Sequence, residues 1–165
     1  MIMTIIEDTR QKQNMHNRKH NVFRENQIDV LRCALPFGDY AFPPKIAVDT
    51  KENIQEIAAN LVGDHARFRN ECIKAKEAGC HLYILVETEW ETINSVDDVH
   101  LWYNPRLIYS SKAVTGERLE KTMKTMQEKY GVRFLFCRPD NSAVEIIKIL
   151  NGDYENGQSD FKCCT

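Results

Sequence analysis

Apolar residues recur along the chain with two periods, and each switch between them marks an element. "TIIED", Thr4 to Asp8, reads as a short buried strand. After a polar loop, "KHNVFRENQ" has the spacing of a short helix, and "IDVLRCAL", Ile28 to Leu35, alternates apolar and polar residues as a second strand does. Gly38-Asp39 gives a turn signal. Pro43-Pro44 cannot pair in a ladder, so "KIAVDTK" is expected as a separate strand reached through that connection.

A helical period follows. Ile54, Ile57, Ala58 and Leu61 share one face until Gly63, and Phe68, Cys72, Ile73 and Ala75 share the next until Gly79. "HLYILVE" is almost continuously apolar, as in a central strand covered on both faces. Residues 88–112 have no clear period; a short helix and an extended piece are expected, with Trp102 and Tyr103 packing inside rather than stacking on a base. Thr115 can cap a helix whose stripe is Leu119, Met123, Met126 and Tyr130. "VRFLFC" is the last strand and "SAVEIIKIL" a terminal helix. The order predicts an α/β fold, a central mixed β-sheet flanked by helices. Residues 1–150 are expected to form one domain, with 151–165 as a polar tail.

Composition narrows the function classes. The chain has 165 residues, 42% hydrophobic and 28% charged, which is ordinary for a water-soluble domain, and no run is long enough to span a membrane. The start reaches acidic residues at once, unlike a secretory signal peptide, so a cytoplasmic location in a bacterial or phage-infected cell is expected. Cys33, Cys72, Cys80 and Cys137 stand apart in apolar segments and read as small buried thiols, with no zinc spacing among them. Cys163-Cys164 lies in the tail. No serine or cysteine has the company a nucleophile needs.

The net charge of -2 does not advertise a polyanion binder, but its distribution does. Between Arg10 and Arg24 there is no acidic residue, whereas Arg10, Lys12, Arg18, Lys19 and Arg24 are basic. Arg67 and Arg69 begin a second basic group. Such patches can steer a nucleic acid even on an acidic chain, and a solvated loop is the bland alternative. His16 and His20 fall in the first patch and suit backbone or phosphate contact better than zinc.

The sharpest feature is the placing of Asp39, Asp49 and Lys51 near strand ends. Residues two apart on a strand share a face, so Asp49 and Lys51 point together while Ile46, Val48 and Thr50 point the other way. With Asp39 at the end of the preceding strand, two carboxylates and an ammonium converge near one edge of the sheet. Two close carboxylates repel unless a cation lies between them, and hard oxygen ligands suit Mg²⁺ or Mn²⁺. Lys51 would then face the charge that builds on a phosphodiester under attack. An exposed hairpin with an ordinary ion pair is the alternative.

"IIEDTRQK", "LPFGDY", "IAVDTKENIQEIAANL", "DHARFRNECIKAKEAG" and "LYILVE" together resemble the nuclease domain of XPF-type structure-specific endonucleases, in the PD-(D/E)XK superfamily with the restriction-endonuclease-like fold. The likeness runs from Ile5 to Glu87, and "TGERLEKTMKTMQEKYGVRFLFC" is similar to the later part of small bacterial or phage forms. The resemblance implies Asp39, Asp49 and the Thr50 carbonyl as ligands of Mg²⁺ (or Mn²⁺) and Lys51 as the catalytic lysine. It also implies Asp8 as a further acidic site residue, with Arg10 and Arg67 positioning phosphate. It implies cleavage of flap, fork or junction DNA in repair or recombination, in a prophage or mobile element, and a homodimer through the helix from Thr115 and the last helix. The chain departs from the family pattern in three places. Thr50 stands for an arginine, Gln11 for a glutamate and Gln55 for an acidic helix residue, with Glu56 beside it. Two alternatives stay open: a nucleic-acid-binding module whose site has decayed, and a nuclease of the same fold acting on plain duplex or RNA.

Overall fold

The computed structural model describes residues 3–154 apart from Pro44 and Asp64. Its strands are β1 (Thr4–Asp8), β2 (Asp29–Cys33), β3 (Tyr40–Phe42), β4 (Ile46–Lys51), β5 (His81–Glu87) and β6 (Arg133–Cys137). Its helices are α1 (Asn17–Glu25), α2 (Ile54–Val62), α3 (His65–Glu77), α4 (Gly116–Tyr130) and α5 (Ser142–Leu150). Among the described residues the strands form one six-stranded sheet in the order β2-β1-β3-β4-β5-β6. β3 runs antiparallel to both neighbours, while β1 with β2, and β4 with β5 and β6, are parallel. The sheet is mixed and helix-flanked, as the periodicity predicts.

Strand alternation sorts side chains into two cores. Ala47, Leu82, Ile84, Val86 and Phe134 face α2, α3 and α4, against Ile57, Leu61, Phe68, Leu119 and Met123. Ile46, Val48, Tyr83 and Leu85 face α1 and α5, against Phe23, Ile146 and Ile149. β5 is buried on both sides because both layers cover it. The hydroxyl of Thr115 caps α4 by accepting from Arg118 N, and Gly131 ends that helix in the left-handed conformation.

Several expectations need correction. Asp39 does not end the second strand. It precedes β3, a three-residue strand too short to show a period, and the charged groups gather at the C-terminal end of a central strand rather than at a sheet edge. Residues 96–101 and 105–108 are two short 3-10 turns, with Trp102 buried and Tyr103 exposed. Ile73 is only half-buried. Of the four cysteines, Cys72 is buried, Cys80 and Cys137 are intermediate and Cys33 is exposed, so only one is a core thiol. Residues 151–154 turn back on the domain: Tyr154 OH donates to Glu145 Oε2 and Arg133 Nη1 donates to the Tyr154 carbonyl. The rest of the expected tail, with Cys163 and Cys164, lies outside the described residues, as does Pro44. No helix among those described is long and apolar enough to cross a membrane.

Met123 is fully buried between α4 and the sheet. Met123→Ala is expected to cost about 2–5 kcal/mol, because the cavity left behind relaxes only in part. In urea unfolding this appears as a lower midpoint with an unchanged slope.

Candidate active site

β1 ends at Asp8, β4 ends at Lys51, and Asp39 lies between them. The backbone of Asp39 bridges the two strands: Asp8 N donates to the Asp39 carbonyl (2.8 Å) and Asp39 N donates to the Val48 carbonyl (2.7 Å). This close approach depends on Gly38. Its φ is +73°, and a Cβ there would stand 3.1 Å from the Val48 carbonyl oxygen. Gly38 N donates to Glu71 Oε1 of α3 at 2.8 Å, which ties the turn to the helix layer.

The side chains then meet at one cavity of about 620 Å³. Asp39 Oδ2 accepts from Thr50 N (2.8 Å) and Thr50 Oγ1 (2.6 Å). Asp39 Oδ1 accepts from Gln11 Nε2 at 2.5 Å. Asp49 and Lys51 are 6% and 7% exposed, with Lys51 Nζ 2.7 Å from Asp49 Oδ2. That contact is an ion pair without hydrogen-bond alignment, and it leaves Asp49 Oδ2 as a buried oxygen with no aligned donor. Glu56 Oε1 lies 3.9 Å from Lys51 Nζ, and Glu56 Oε2 accepts from Glu52 N at the start of α2.

Asp8 is buried, and its carboxylate is spent on its neighbours. Oδ1 accepts from Arg10 N (3.2 Å) and Leu35 N (3.4 Å), and Oδ2 pairs with Arg10 Nε. Arg10 Nη2 also donates to the Leu35 carbonyl at 2.8 Å. Asp8 therefore orients Arg10 at the cavity rim. Of the other basic residues, Lys19 and Arg67 border the cavity. Lys12, Arg18, Arg24 and Arg69 do not border it; all four are exposed, and Arg18 pairs with Asp140.

Three features of the site are not given by the sequence: the place of Glu71, the Lys19–Glu87 pair and the contact of Gln11 with Asp39. Glu71 stands four residues after Arg67 on α3, a helical spacing that puts both on the cavity side and was available to find it. Lys19 and Glu87 form a largely buried pair at 2.8 Å, joining α1 to the end of β5. Nothing in the sequence pairs those two. Gln11 is the third, and its contact with Asp39 spans a separation in sequence that no local pattern reports. Two histidines also find partners unseen in sequence: His20 Nε2 lies 2.7 Å from Glu7 Oε1, and His100 Nδ1 lies 2.9 Å from Glu120 Oε2.

Electrostatics follow from this crowding. Burial, with Asp39 and Glu71 nearby, pushes the Asp49 carboxyl up to about 7 although Lys51 pulls it down. Burial disfavours the Lys51 ammonium, but Asp49, Glu56 and Asp39 outweigh that and hold it charged. Burial and Lys19 lower the His16 imidazole.

Among the described residues, no three His, Cys, Asp or Glu groups close on one point. The oxygens on offer are the Asp39 and Asp49 carboxylates and the Thr50 carbonyl, which shares a strand edge with the Thr50 N–H that faces Asp39. Two carboxylates with water completing the shell is a donor set that fits Mg²⁺. The buried, unaligned Asp49 Oδ2 agrees with it.

The ERCC4 domain family model matches residues 7–150, most of the chain. The chain belongs to the ERCC4 domain family. Among solved structures, this ERCC4 domain is similar to XPF from Aeropyrum pernix, with a TM-score of 0.65 and 20% identity over 92% of this chain and 65% of that one. XPF from Aeropyrum pernix in complex with DNA is also similar, with a TM-score of 0.66 and 20% identity over 96% of this chain and 68% of that one. The ERCC4 domain thus spans about two thirds of the length of those chains. No curated protein matches it. Family and fold agree with those the resemblance carried by the sequence implies.

The raised Asp49 carboxyl makes a pH test. The folded state holds this proton more tightly than the unfolded chain, whose value is the ordinary 3.8. Ionisation therefore costs stability progressively from about pH 4 to about pH 7, and the cost is constant above that. In EDTA, the unfolding free energy of Asp49→Asn relative to the wild type is expected to climb across this window by an amount on the order of a few kcal/mol, then level off. A pH-independent difference would mean that Asp49 ionises normally.

Proposed function

We propose that this ERCC4 domain is a divalent-metal-dependent DNA endonuclease that hydrolyses phosphodiester bonds. The observation that carries the reading is the convergence of Asp39, Asp49 and Lys51 in one cavity beside exposed Arg10 and Arg67. Asp39, Asp49 and the Thr50 carbonyl would hold Mg²⁺, with Mn²⁺ as a substitute. Such an ion lowers the pKa of a bound water and polarises a phosphoryl oxygen.

The chain's own groups supply the rest. Asp39 is fixed through backbone and side chain alike, so its carboxylate is held in place before substrate arrives. Lys51 is kept as an ammonium by Asp49 and Glu56, and its fixed positive charge would face the phosphoryl oxygens on which negative charge builds. Arg10 is splayed by Asp8 and the Leu35 carbonyl, and its exposed side chain can meet a backbone phosphate. Arg67 extends the contact along the strand, while Lys19 is held by Glu87.

The substrate is structured DNA, a flap, fork or junction, in repair or recombination. Support for DNA comes from the likeness to an XPF–DNA complex and from exposed Arg10 and Arg67 beside the cavity. A homodimer would use the edge where α4 and α5 flank β6, since β6 has a free side in the sheet. Met123 and Met126 are spent in the core and would not form that surface.

Cleavage of labelled duplex, flap, fork and four-way-junction DNA with Mg²⁺ tests the reading. Asp49→Asn, Lys51→Ala and EDTA are each expected to reduce structure-selective cutting at least about 100-fold. Binding without cutting, with either Mg²⁺ or Mn²⁺, would favour a decayed binding module, and cutting of RNA or plain duplex would change the substrate. The phosphate role has its own readout. Arg67→Ala should lower the slope of log K against log salt by about one, and an unchanged slope would remove Arg67 from the interface.

A further inference from the structure

Behind the cavity lies a charged group that the proposed reaction does not use. Glu7 is 1% exposed and belongs to β1, where its side chain points away from Asp8. A carboxylate this buried is costly unless its oxygens are matched. Its partners are His20, whose Nε2 lies 2.7 Å from Oε1, and Arg32 of the edge strand β2, whose Nη1 donates to Oε2 at 3.1 Å. The other end of Arg32 is committed too. Nη2 donates to the Gln11 carbonyl at 2.6 Å and to the Thr9 carbonyl at 3.3 Å.

Gln11 is the residue that reaches Asp39. Its N–H donates to the Asp8 carbonyl at 3.0 Å, and its side-chain amide donates to Asp39 Oδ1 at 2.5 Å. In the loop after β1 the backbone bonds hold the N–H groups, Thr9 to the Cys33 carbonyl (3.2 Å) and Gln11 to Asp8, while the Thr9 and Gln11 carbonyls go to Arg32. A guanidinium fork anchored on a buried carboxylate is therefore what fixes both carbonyls at once, and lysine could not span them.

We propose that Arg32 is a positioning residue for the candidate metal site: held by Glu7, it grips the Thr9 and Gln11 carbonyls and thereby keeps the Gln11 amide on Asp39. The inference rests on the reading of Asp39 as a metal ligand. Gln11 uses one lone pair of Asp39 Oδ1 and so sets the direction in which the remaining one faces. Partners that orient a ligand in this way are typically worth about 10–100-fold in metal affinity.

Two measurements on the full chain test it. The side-chain amide resonances of Gln11, assigned by their loss in Gln11→Ala, are expected to be protected from solvent exchange in the wild type. In Arg32→Lys they should move to the position of an exposed glutamine. Unchanged resonances would overturn the relay whatever a metal does.

The second measurement is Mn²⁺ binding, followed by the electron paramagnetic resonance signal of the free ion. Arg32→Lys and Gln11→Ala should each weaken binding about 10-fold, and the double variant should be no weaker than either single one. A purely structural role would lower the melting temperature without this non-additivity. Losses that multiply in the double variant would overturn the proposal. Absence of Mn²⁺ binding by the wild type, with the Gln11 resonances still responding to Arg32→Lys, would instead overturn the metal reading and leave the relay as a loop clamp only.

Discussion

Asp39 joins two strands that are not paired with each other. β1 and β4 are separated by the short strand β3, and just before its first residue the backbone of Asp39 accepts from Asp8 and donates to Val48. Everything chemical in the molecule hangs on this bridge. It draws the end of β1, with Asp8 and Arg10, to within reach of the end of β4, with Asp49 and Lys51. A side chain at position 38 would press on the Val48 carbonyl and lift Asp39 off it, so the glycine before the aspartate is a steric requirement of the bridge. The same turn is tied to α3 through Glu71, which carries the geometry into the helix layer where Arg67 stands.

Once the strands are set, charge balance decides the rest. Glu7, Asp8, Asp49 and Lys51 are all buried, and each has an opposite charge within ion-pair distance. The partners differ in what they leave over. Arg10 and Leu35 satisfy Asp8 almost completely, so it acts as a bracket for Arg10. Asp49 is the exception, because Lys51 approaches without aligned geometry and two other carboxylates stand near. A carboxylate raised to about 7 by burial and like charge is under strain that a divalent cation would relieve. Stability and the proposed chemistry thus pull against each other at one residue.

The parts legible in the sequence were those governed by local periodicity. β1, β4, β5, the helix-forming stripes of α2 and α4, and the shared face of Asp49 and Lys51 follow from periods of two and 3.6. β3 was not legible, since three residues between a turn and a proline show no period. Its omission misplaced Asp39 by assigning it to the preceding strand. The basic stretch from Arg10 to Arg24 was read as one patch because sequence carries no direction. In the fold α1 turns Lys19 inward to Glu87, while Arg24 and Arg18 face elsewhere. Contacts between distant segments, such as Gln11 with Asp39 or Glu7 with Arg32, leave no local trace and needed the three-dimensional arrangement.

The departures from the family pattern bear on whether the site has decayed. The resemblance sets Thr50 against an arginine and Gln11 against a glutamate, so one positive and one negative charge are absent there, and Gln55 against an acidic residue removes a further negative one. Random loss would not be expected to converge, yet both neutral replacements donate to the same group: Thr50 to Asp39 Oδ2, Gln11 to Oδ1. An arginine and a glutamate at those positions would bring their own charges beside Asp39; a hydroxyl and an amide bring hydrogen bonds of moderate strength in their place. The two positions act on one carboxylate, with a neutral hydroxyl and a neutral amide holding its two oxygens. That favours a site retuned around Asp39 over one abandoned.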